Sequence, residues 1–540
     1  MGWSNSFITA LTKPSITPLY YLRFLNTGAN GFGGGYYLNS WQGDARIASA
    51  GPTIQGVRVI PQRWNVSLGG FSVPIVGDIR AQLPYLRRGI IAELLVDLGT
   101  GFERVACGQL RNITGTPPNY IFHFVDLISA FCNTQDLNSD ANVGILRDAV
   151  SYSVLFPHIG KYALTTVSWV VGPTLSVDEL SHFEFETGQA GILRVVNTSN
   201  EEFYFSFNSK SASSGAGTLN ITAGTIYPSL QASISPLPVG SKVYAAALLK
   251  GFGGDILGKI ILSTGTGTNG PLDTLPANWS VGGSFDQSLV DYQDIQNQKQ
   301  LIKARSSADA YQWNYPLLGS MSSGLRDFIN IAALAGQWPV WRQDSLSWRG
   351  CVDPLGPPYM GYSVFPTTPQ ITDNDIIEVV SHDFYSADAS HIVANSTIQH
   401  SQQSSTQVEA VGNNGMVAGK INSVPMLSYQ NRDNRFLYDY SPYTSGGRAS
   451  RANLANGDLD RMGCWDYWPH EKMVLKLPLI FATLTAGDLI SITSNFLYGM
   501  DAGIGETYQQ RPAMVISMDY SFAARVCILG IAIPTTKRTL

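Results

Sequence analysis

The chain has 540 residues, 44% hydrophobic and 11% aromatic, which is enough to bury sizeable cores and excludes disorder as a class. At about 100–200 residues per domain, this length predicts roughly three to five domains. Charged residues make up only 14%, against roughly 25% in an average soluble protein. The net charge of −5 argues against a nucleic-acid binder that works through a basic face.

The first residues, MGWSNSFITALTK, lack a basic leader and an apolar core, so no signal peptide is expected. Gly2 with Ser6 fits the loose myristoylation pattern, a match common by chance. No apolar stretch approaches the ~18–20 residues of a membrane helix, and a soluble chain with no membrane-spanning segment is expected. Alternation of apolar and polar residues then dominates. Arg58–Ile60 and Trp64–Leu68 switch with period two before the Gly69-Gly70 turn. Gly89–Leu98, Phe102–Leu110 and Tyr120–Leu127 follow as strands separated by glycine and proline turns. Strands continue through Tyr162–Val171, Phe183–Val196 and Phe203–Phe207, and Asn208–Gly217 reads as a loose loop. Short strands at this spacing predict a sandwich or barrel rather than βαβ units.

The period changes after Pro238. Lys242–Leu249 and Ile256–Leu262 read as helix broken around Gly251–Gly254, and Gln287–Ser306 as a solvated helix. Leu325, Phe328, Ile329, Ala332 and Ala333 fall at helical spacing. Pro339–Gln343 and Leu346–Arg349 face each other as a hairpin across Asp344-Ser345. Pro354–Pro369 reads as a linker. Beyond it, Ile376–Val380, His391–Ile398, Gln407–Val411, Met473–Leu484, Leu489–Thr493, Met514–Tyr520 and Arg525–Ile533 read as strands. Residues 430–470 read as a long loop. The expected fold is mainly β and multi-domain, with β-rich modules at 1–235 and 353–540 around an α+β module at 236–352.

Chemistry-bearing motifs are weak. Gly253–Lys259 fits GxxxxGK, but Ile260 stands where a phosphate loop needs Ser or Thr for magnesium, so a helix break is expected there. Gly31–Gly35 lacks a βαβ setting. His382, Asp383, Asp388 and His391 are close in sequence without metal-ligand spacing, and read as the polar surface of a hairpin. Glu184 with Glu186 and Glu201 with Glu202 could in principle serve a glycosidase, yet such pairs arise in nearly every long chain. Cys107, Cys132, Cys351, Cys464 and Cys527 lie far apart with no CxxC, which predicts ordinary buried thiols. There is no nucleophile elbow. Trp338, Trp341 and Trp348, with Trp313 nearby, could form a sugar platform, although pinning the hairpin onto its helix is the favoured reading. Tyr438–Tyr443 suits a contact surface. No catalytic, cofactor-binding or metal residue is assigned, and no cofactor is expected.

Four stretches resemble the hub, or tail-tip (baseplate hub), proteins of tailed bacteriophages. They are Arg63–Leu110, Leu248–Gly282 (LLKGFGGDILGKIILSTGTGTNGPLDTLPANWSVG, the most specific), Gly324–Gly350 and Ile371–His400, with Leu484–Ser494 as a weaker echo. The resemblance implies two tube-type β-barrel modules with an inserted α+β module, assembled as a homotrimer. It implies a structural, non-enzymatic ring at the virion's tail tip, built in the host cytoplasm, that joins the tail tube to the distal tip and surrounds the DNA exit channel. Implied partners are the distal tail, tail tube, tape-measure and tail-tip or receptor-binding proteins, with no sequence-specific nucleic acid. The alternative is a glycan-binding or glycan-degrading tail β protein, which would show a solenoid repeat or a convergent acidic cleft. A jelly-roll capsid or spike protein is disfavoured by the α+β module.

Overall fold

The computed structural model describes residues 2–13, 16–24, 37–60, 65–80, 86, 90–132, 162–169, 172–183, 191–198, 202–222, 237–262, 289–305, 313–317, 329, 332, 337–350, 369–385, 393–399, 405–411, 434–436, 470–499 and 507–534. The fold is mainly β. The chain starts with helix α1 (Asn5–Leu11), then strands β1 (Leu19–Phe24), β2 (Tyr37–Asn39), β3 (Ala45–Ile47), β4 (Thr53–Gln55) and β5 (Arg58–Ile60). Next come β6 (Asn65–Ser67), β7 (Gly70–Gly77), β8 (Ile91–Asp97), β9 (Phe102–Thr116), β10 (Asn119–Asp126) and helix α2 (Leu127–Cys132). A second group holds β11 (Tyr162–Leu164), β12 (Thr174–Val177), β13 (Gly191–Val196), β14 (Glu202–Lys210), β15 (Gly217–Ile221) and β16 (Lys242–Gly251).

Helices α3 (Gly253–Leu262) and α4 (Tyr292–Arg305) follow, then β17 (Trp313–Leu317) and the hairpin β18 (Gln337–Arg342) and β19 (Ser345–Gly350). The last group is β20 (Gln370–Thr372), β21 (Glu378–Tyr385), β22 (Val393–Gln399), β23 (Ser405–Val411) and β24 (Asn434–Phe436). It ends with β25 (His470–Pro478), a 3-10 turn at Leu479–Thr483, β26 (Leu489–Ser494), β27 (Tyr508–Ser521) and β28 (Val526–Pro534).

Fourteen strands share one sheet along the path β2-β1-β8-β9-β10-β7-β4-β27-β28-β25-β21, with β3, β20 and β26 attached at its side. Strict alternation fixes its faces. In β7, Phe71, Val73 and Ile75 point inward, and in β10 Phe122 and Phe124 do so opposite them. Phe71 and Phe124 stack with centroids 4.4 Å apart, a cross-strand pair contributing roughly 0.2–1 kcal/mol. The join between the two ends of the chain is β4–β27, with Ile54 opposite Tyr520. Phe71 and Phe122 belong to the same apolar core as Leu475 and Ile531. The segments 1–235 and 353–540 therefore contribute strands to one sheet and side chains to one core. Helix α1, capped by Ser4 Oγ accepting from Phe7 N at 3.2 Å, closes that core with Phe7, Ala10 and Leu11.

The second sheet runs β11-β16-β13-β14-β15-β12 with β17 added to β16. Its core gathers Leu175, Val177, Leu193, Phe205, Phe207 and Val243 around Trp169. Strand β16 pairs with β13 through Ala246 and with β17 from Ala247 onward. It carries this sheet past residue 235 into the central segment.

Three sequence expectations need correction here. Lys242–Leu249, expected as helix, is strand β16: pairing with β11, β13 and β17 overrides the helix propensity of its Ala and Leu residues. Gly253 and Gly254, expected to break a helix, instead open α3. A Cβ on Gly253 would lie 2.6 Å from the Trp348 ring, and one on Gly254 2.7 Å from Ile295. Close approach of α3 to the hairpin and α4, not helix termination, is what these glycines permit. The hairpin turn also sits one residue earlier than expected. Gln343 takes the left-handed φ of 55°, and Ser345 already pairs with Arg342. Of the helical set near 325–333, Ile329 and Ala332 are described, helical and buried.

Candidate functional site

Hairpin β18–β19 is buried on both faces, and every residue of β19 is buried. It is wedged between α4, the first sheet and the turn that precedes β26, and polar side chains tie it to each. Arg349 is 1% exposed. Its Nη1 donates to Asp294 Oδ2 on α4 at 2.6 Å, to Ser347 Oγ at 3.1 Å and to the Trp348 carbonyl at 2.8 Å. Its Nε donates to Asp488 Oδ1 at 2.8 Å. Arg342 Nη1 and the Ser347 hydroxyl complete the shell of Asp294 at 3.1 and 2.6 Å.

Burial opposes ionisation of Asp294, but Arg349, Arg342 and Ser347 outweigh it and hold the carboxyl below its usual range. Burial likewise works against the Arg349 charge, and Asp488 and Asp294 overcome it and raise the guanidinium. The buried Asp294 and the half-buried Asp488 around one planar donor form the geometry in which an internal charge is tolerated. Gly487, with φ 102°, sits where a Cβ would meet Arg349 Cβ at 2.7 Å. The turn passes that close so that Asp488 can reach the guanidinium. The Trp338 indole donates to the Ala486 carbonyl at 3.2 Å, and the Trp348 indole to Gln337 Oε1 at 3.0 Å.

The hairpin tip is held from the other side. Arg104 Nε donates to the Asp344 carbonyl at 3.0 Å while its Nη1 meets Glu93 Oε1 at 3.2 Å. Trp3 N donates to Gln343 Oε1 at 2.8 Å, and its indole to the Arg104 carbonyl at 3.0 Å. Asp291 N donates to the Leu346 carbonyl at 2.9 Å. One hairpin therefore ties the segment before α1, the β8–β9 pair, α4 and the β26 turn together.

Beneath it lies a cavity of about 40 Å³ lined by Phe71, Cys107, Asp126, Trp341, Leu346 and Tyr520, among others. Burial pushes the Asp126 carboxyl up to about 6, opposed by its hydrogen bonds from Ser129 and Ile128. Burial, with the Glu93 charge behind it, pushes the Cys107 thiol well up.

The residues singled out from sequence separate in the structure. Trp338 and Trp348 are 0% exposed and pack the hairpin, and Trp341 lines the cavity, so these three form no open sugar platform. His382 lies on β21, and its Nε2 is 2.9 Å from the buried Glu471 Oε2. Asp383 follows it on the same strand. Asp388, His391, Glu184, Glu186, Glu201, Gly31–Gly35, Tyr438–Tyr443, Cys351 and Cys464 lie outside the described residues. Glu202 starts β14 and Cys132 ends α2. Cys107 and Cys527 are buried free thiols. Among the described residues, no group of three or more His, Cys, Asp or Glu is placed to hold a metal ion, and no helix is long and apolar enough to cross a membrane.

Sequence reasoning missed Arg349, Asp294 and Asp488. The available signal was an arginine inside a Trp-rich alternating hairpin, where an inward charge demands partners. It also missed an exposed group of rings. Tyr21 stacks with Tyr37 and Trp41 at 5.0 and 6.3 Å, and Phe102 lies 5.8 Å from Trp41.

No protein-family model matches the chain, and no curated protein matches it. Among solved structures, the 43 kDa tail protein of prophage MuSo2 from Shewanella oneidensis is similar at 10% identity and a TM-score of 0.32, over 95% of this chain and 98% of that one. The tail protein from Neisseria meningitidis MC58 is similar at 8% identity and a TM-score of 0.32, over 96% and 97%. A chain of the native gene transfer agent virion is similar at 12% identity and a TM-score of 0.18, over 45% of this chain and 84% of that one.

Proposed function

We propose that the chain is a structural hub protein at the tip of a bacteriophage tail. Three copies form a ring that joins the tail tube to the distal receptor-binding apparatus and surrounds the DNA exit channel. The role is mechanical, without turnover chemistry. The observation that carries this reading is the construction of one wall from both ends of the chain. Strand β27 pairs with β4, and the buried hairpin is clamped to both ends, to the turn before β26 by Arg349–Asp488 and to β9 by Arg104 donating to the Asp344 carbonyl. Such a wall resists shear because buried ion pairs and sheet hydrogen bonds would break together.

Two further features support it. Of the resembling stretches, Arg63–Leu110 includes β7, β8 and much of β9 of that sheet, Ile371–His400 includes β21, Gly324–Gly350 includes the hairpin clamped to it, and Leu248–Gly282 includes α3, which packs against the hairpin. Among the described residues, the long sheet path ends at β2 and at β21. Beside β21, Ile377 is 55% exposed, and Val380 on the strand is 51% exposed. A sheet end such as β21 pairs with a neighbouring copy when a ring closes. The weak negative charge leaves a channel wall that does not trap phosphate backbones. Gold-labelled antibody against the chain, applied to intact particles of the phage that encodes it, should decorate the distal end of the tail. Label on the head, or on no part of the particle, would overturn the proposal.

A further inference from the structure

The outer face of the long sheet, at its β2 end, carries a cluster of aromatic rings drawn from three places in the chain. Strands β1 and β2 bring Tyr21 and Tyr37 within 5.0 Å at an interplanar angle of 25°. Trp41 lies nearly parallel to Tyr21 at 19°, and Phe102 closes the group at 5.9 Å from Tyr21 and 5.8 Å from Trp41. Tyr37 is 44% exposed, Trp41 42% and Phe102 44%.

The rings are held before any ligand arrives. Asn39 Oδ1 accepts from the backbone N–H groups of Trp41 and Gln42 at 3.0 and 2.8 Å. Asp97 Oδ1 accepts from Gly99, Thr100 and Gly101 at 2.7, 2.9 and 2.9 Å, which fixes the turn before Phe102. Polar side chains border the rings in sequence: Arg23, paired with Glu93, and the exposed Gln42 and Thr100.

The size of the face selects its occupant. With each aromatic side chain offering ~150–250 Å², three of them exposed by about two fifths leave roughly 200–300 Å². A stable protein interface needs about 800 Å² per partner, so the rings alone are too small for a second copy or another folded protein. Single-stranded nucleic acid also stacks on aromatic rings, but it needs a positive groove. Here Arg23 and Arg104 share Glu93, Asp344 lies 3.7 Å from Arg104 so that two carboxylates balance two guanidiniums, and the chain carries a net charge of −5. What remains is an uncharged ring with one apolar face and a polar rim. We propose that Tyr21, Tyr37, Trp41 and Phe102 form a binding face for a neutral polysaccharide of hexopyranose units. The axial C–H faces of the sugar rings stack on the aromatics, and their equatorial hydroxyls reach Arg23, Gln42 and Thr100. An open group of stacked and tilted rings, with Phe102 inclined 54° to Tyr21, suits a polymer that reaches several of them rather than a free monosaccharide, which would need a concave pocket.

This assignment stands independently of the tail reading. The test is affinity electrophoresis of the full chain through gels holding a β-glucan, a mannan or a galactan. The assignment expects retardation by at least one of the three, weakened tenfold or more in Trp41→Ala and in Phe102→Ala. Phe496→Ala, which removes an unrelated ring that is 81% exposed, should migrate as the parent does. Circular dichroism on the same samples should show an unchanged fold, because the substituted rings are half in solvent. Absence of retardation in all three gels would overturn the assignment. So would equal retardation of a Trp41→Ala/Phe102→Ala double variant, or a loss of self-association, measured by light scattering, in place of a loss of glycan binding.

Discussion

Arg349 on β19 donates to Asp294 on α4 at 2.6 Å from a position that is 1% exposed, while its Nε holds Asp488. Removing one member of such a buried set strands a charge, which typically costs 3–5 kcal/mol. Arg349→Met should therefore lower stability by roughly that amount. The loss would appear as a shift of the urea midpoint followed by tryptophan fluorescence, since Trp338 and Trp348 flank the site. An unchanged midpoint would show that the junction does not need the pair.

The same carboxylate sets an acid limit. The folded state holds Asp294 below its ordinary 3.8, so the unfolded chain binds more protons in that range. Its contribution is present above 3.8 and is lost as the pH falls through the depressed folded value. Unfolding monitored from pH 5 down to pH 2 should show a steeper loss in the parent than in Asp294→Asn. Parallel slopes would remove Asp294 from the account.

Asp126 behaves in the opposite sense. Its folded value is raised from 3.8 to about 6, so the native state holds the proton more tightly. The stabilisation is complete below 3.8 and is lost as pH rises through about 6, leaving a buried charge above it. Asp126→Asn should gain on the parent by roughly 1–3 kcal/mol between pH 5 and pH 8, because each tenfold change in proton affinity is worth about 1.4 kcal/mol. Thermal unfolding at the two pH values measures it, and a constant difference would refute the assignment.

Gly254→Ala gives a result whose sign is informative. In an ordinary helix interior, Ala in place of Gly gains about 1 kcal/mol. Here the new Cβ meets Ile295 at 2.7 Å and Trp348 at 3.1 Å, so overpacking should cost about 1–3 kcal/mol. A net stabilisation on urea unfolding would show that α3 does not press against the hairpin.

Cys107 and Cys527 should resist thiol reagents in the native protein. Burial raises both, with Cys527 pushed up to about 12, and the reactive species is the thiolate. Peptide mapping after alkylation should find both unmodified in buffer and modified in denaturant. Rapid native labelling of either would mean that its strand opens.

The strands, the hairpin and helix α4 are legible in the sequence because their signals are local. Pro339–Gln343 and Leu346–Arg349 face each other around a short polar turn, and the strand signals at Phe102–Leu110 and Tyr120–Leu127 fall on β9 and β10. Lys242–Leu249 reads as helix because Ala and Leu favour a helix in isolation, and only pairing with strands far along the chain makes it β. The clamp is hidden for a related reason. Arg349 lies 55 residues from Asp294 and 139 from Asp488, so no spacing links them. The aromatic face is likewise spread over β1, β2 and β9, and the tryptophans that stand out as a cluster, Trp338 and Trp348, are buried structural pins.

The central claim concerns copy number around an axis. Averaged electron cryomicroscopy images of the tail tip, with the chain located by its antibody label, count the subunits directly. The account predicts three copies in a closed ring whose central channel continues the tube. Two, four or six copies, or a chain that sits outside the ring on the tail surface, would contradict it.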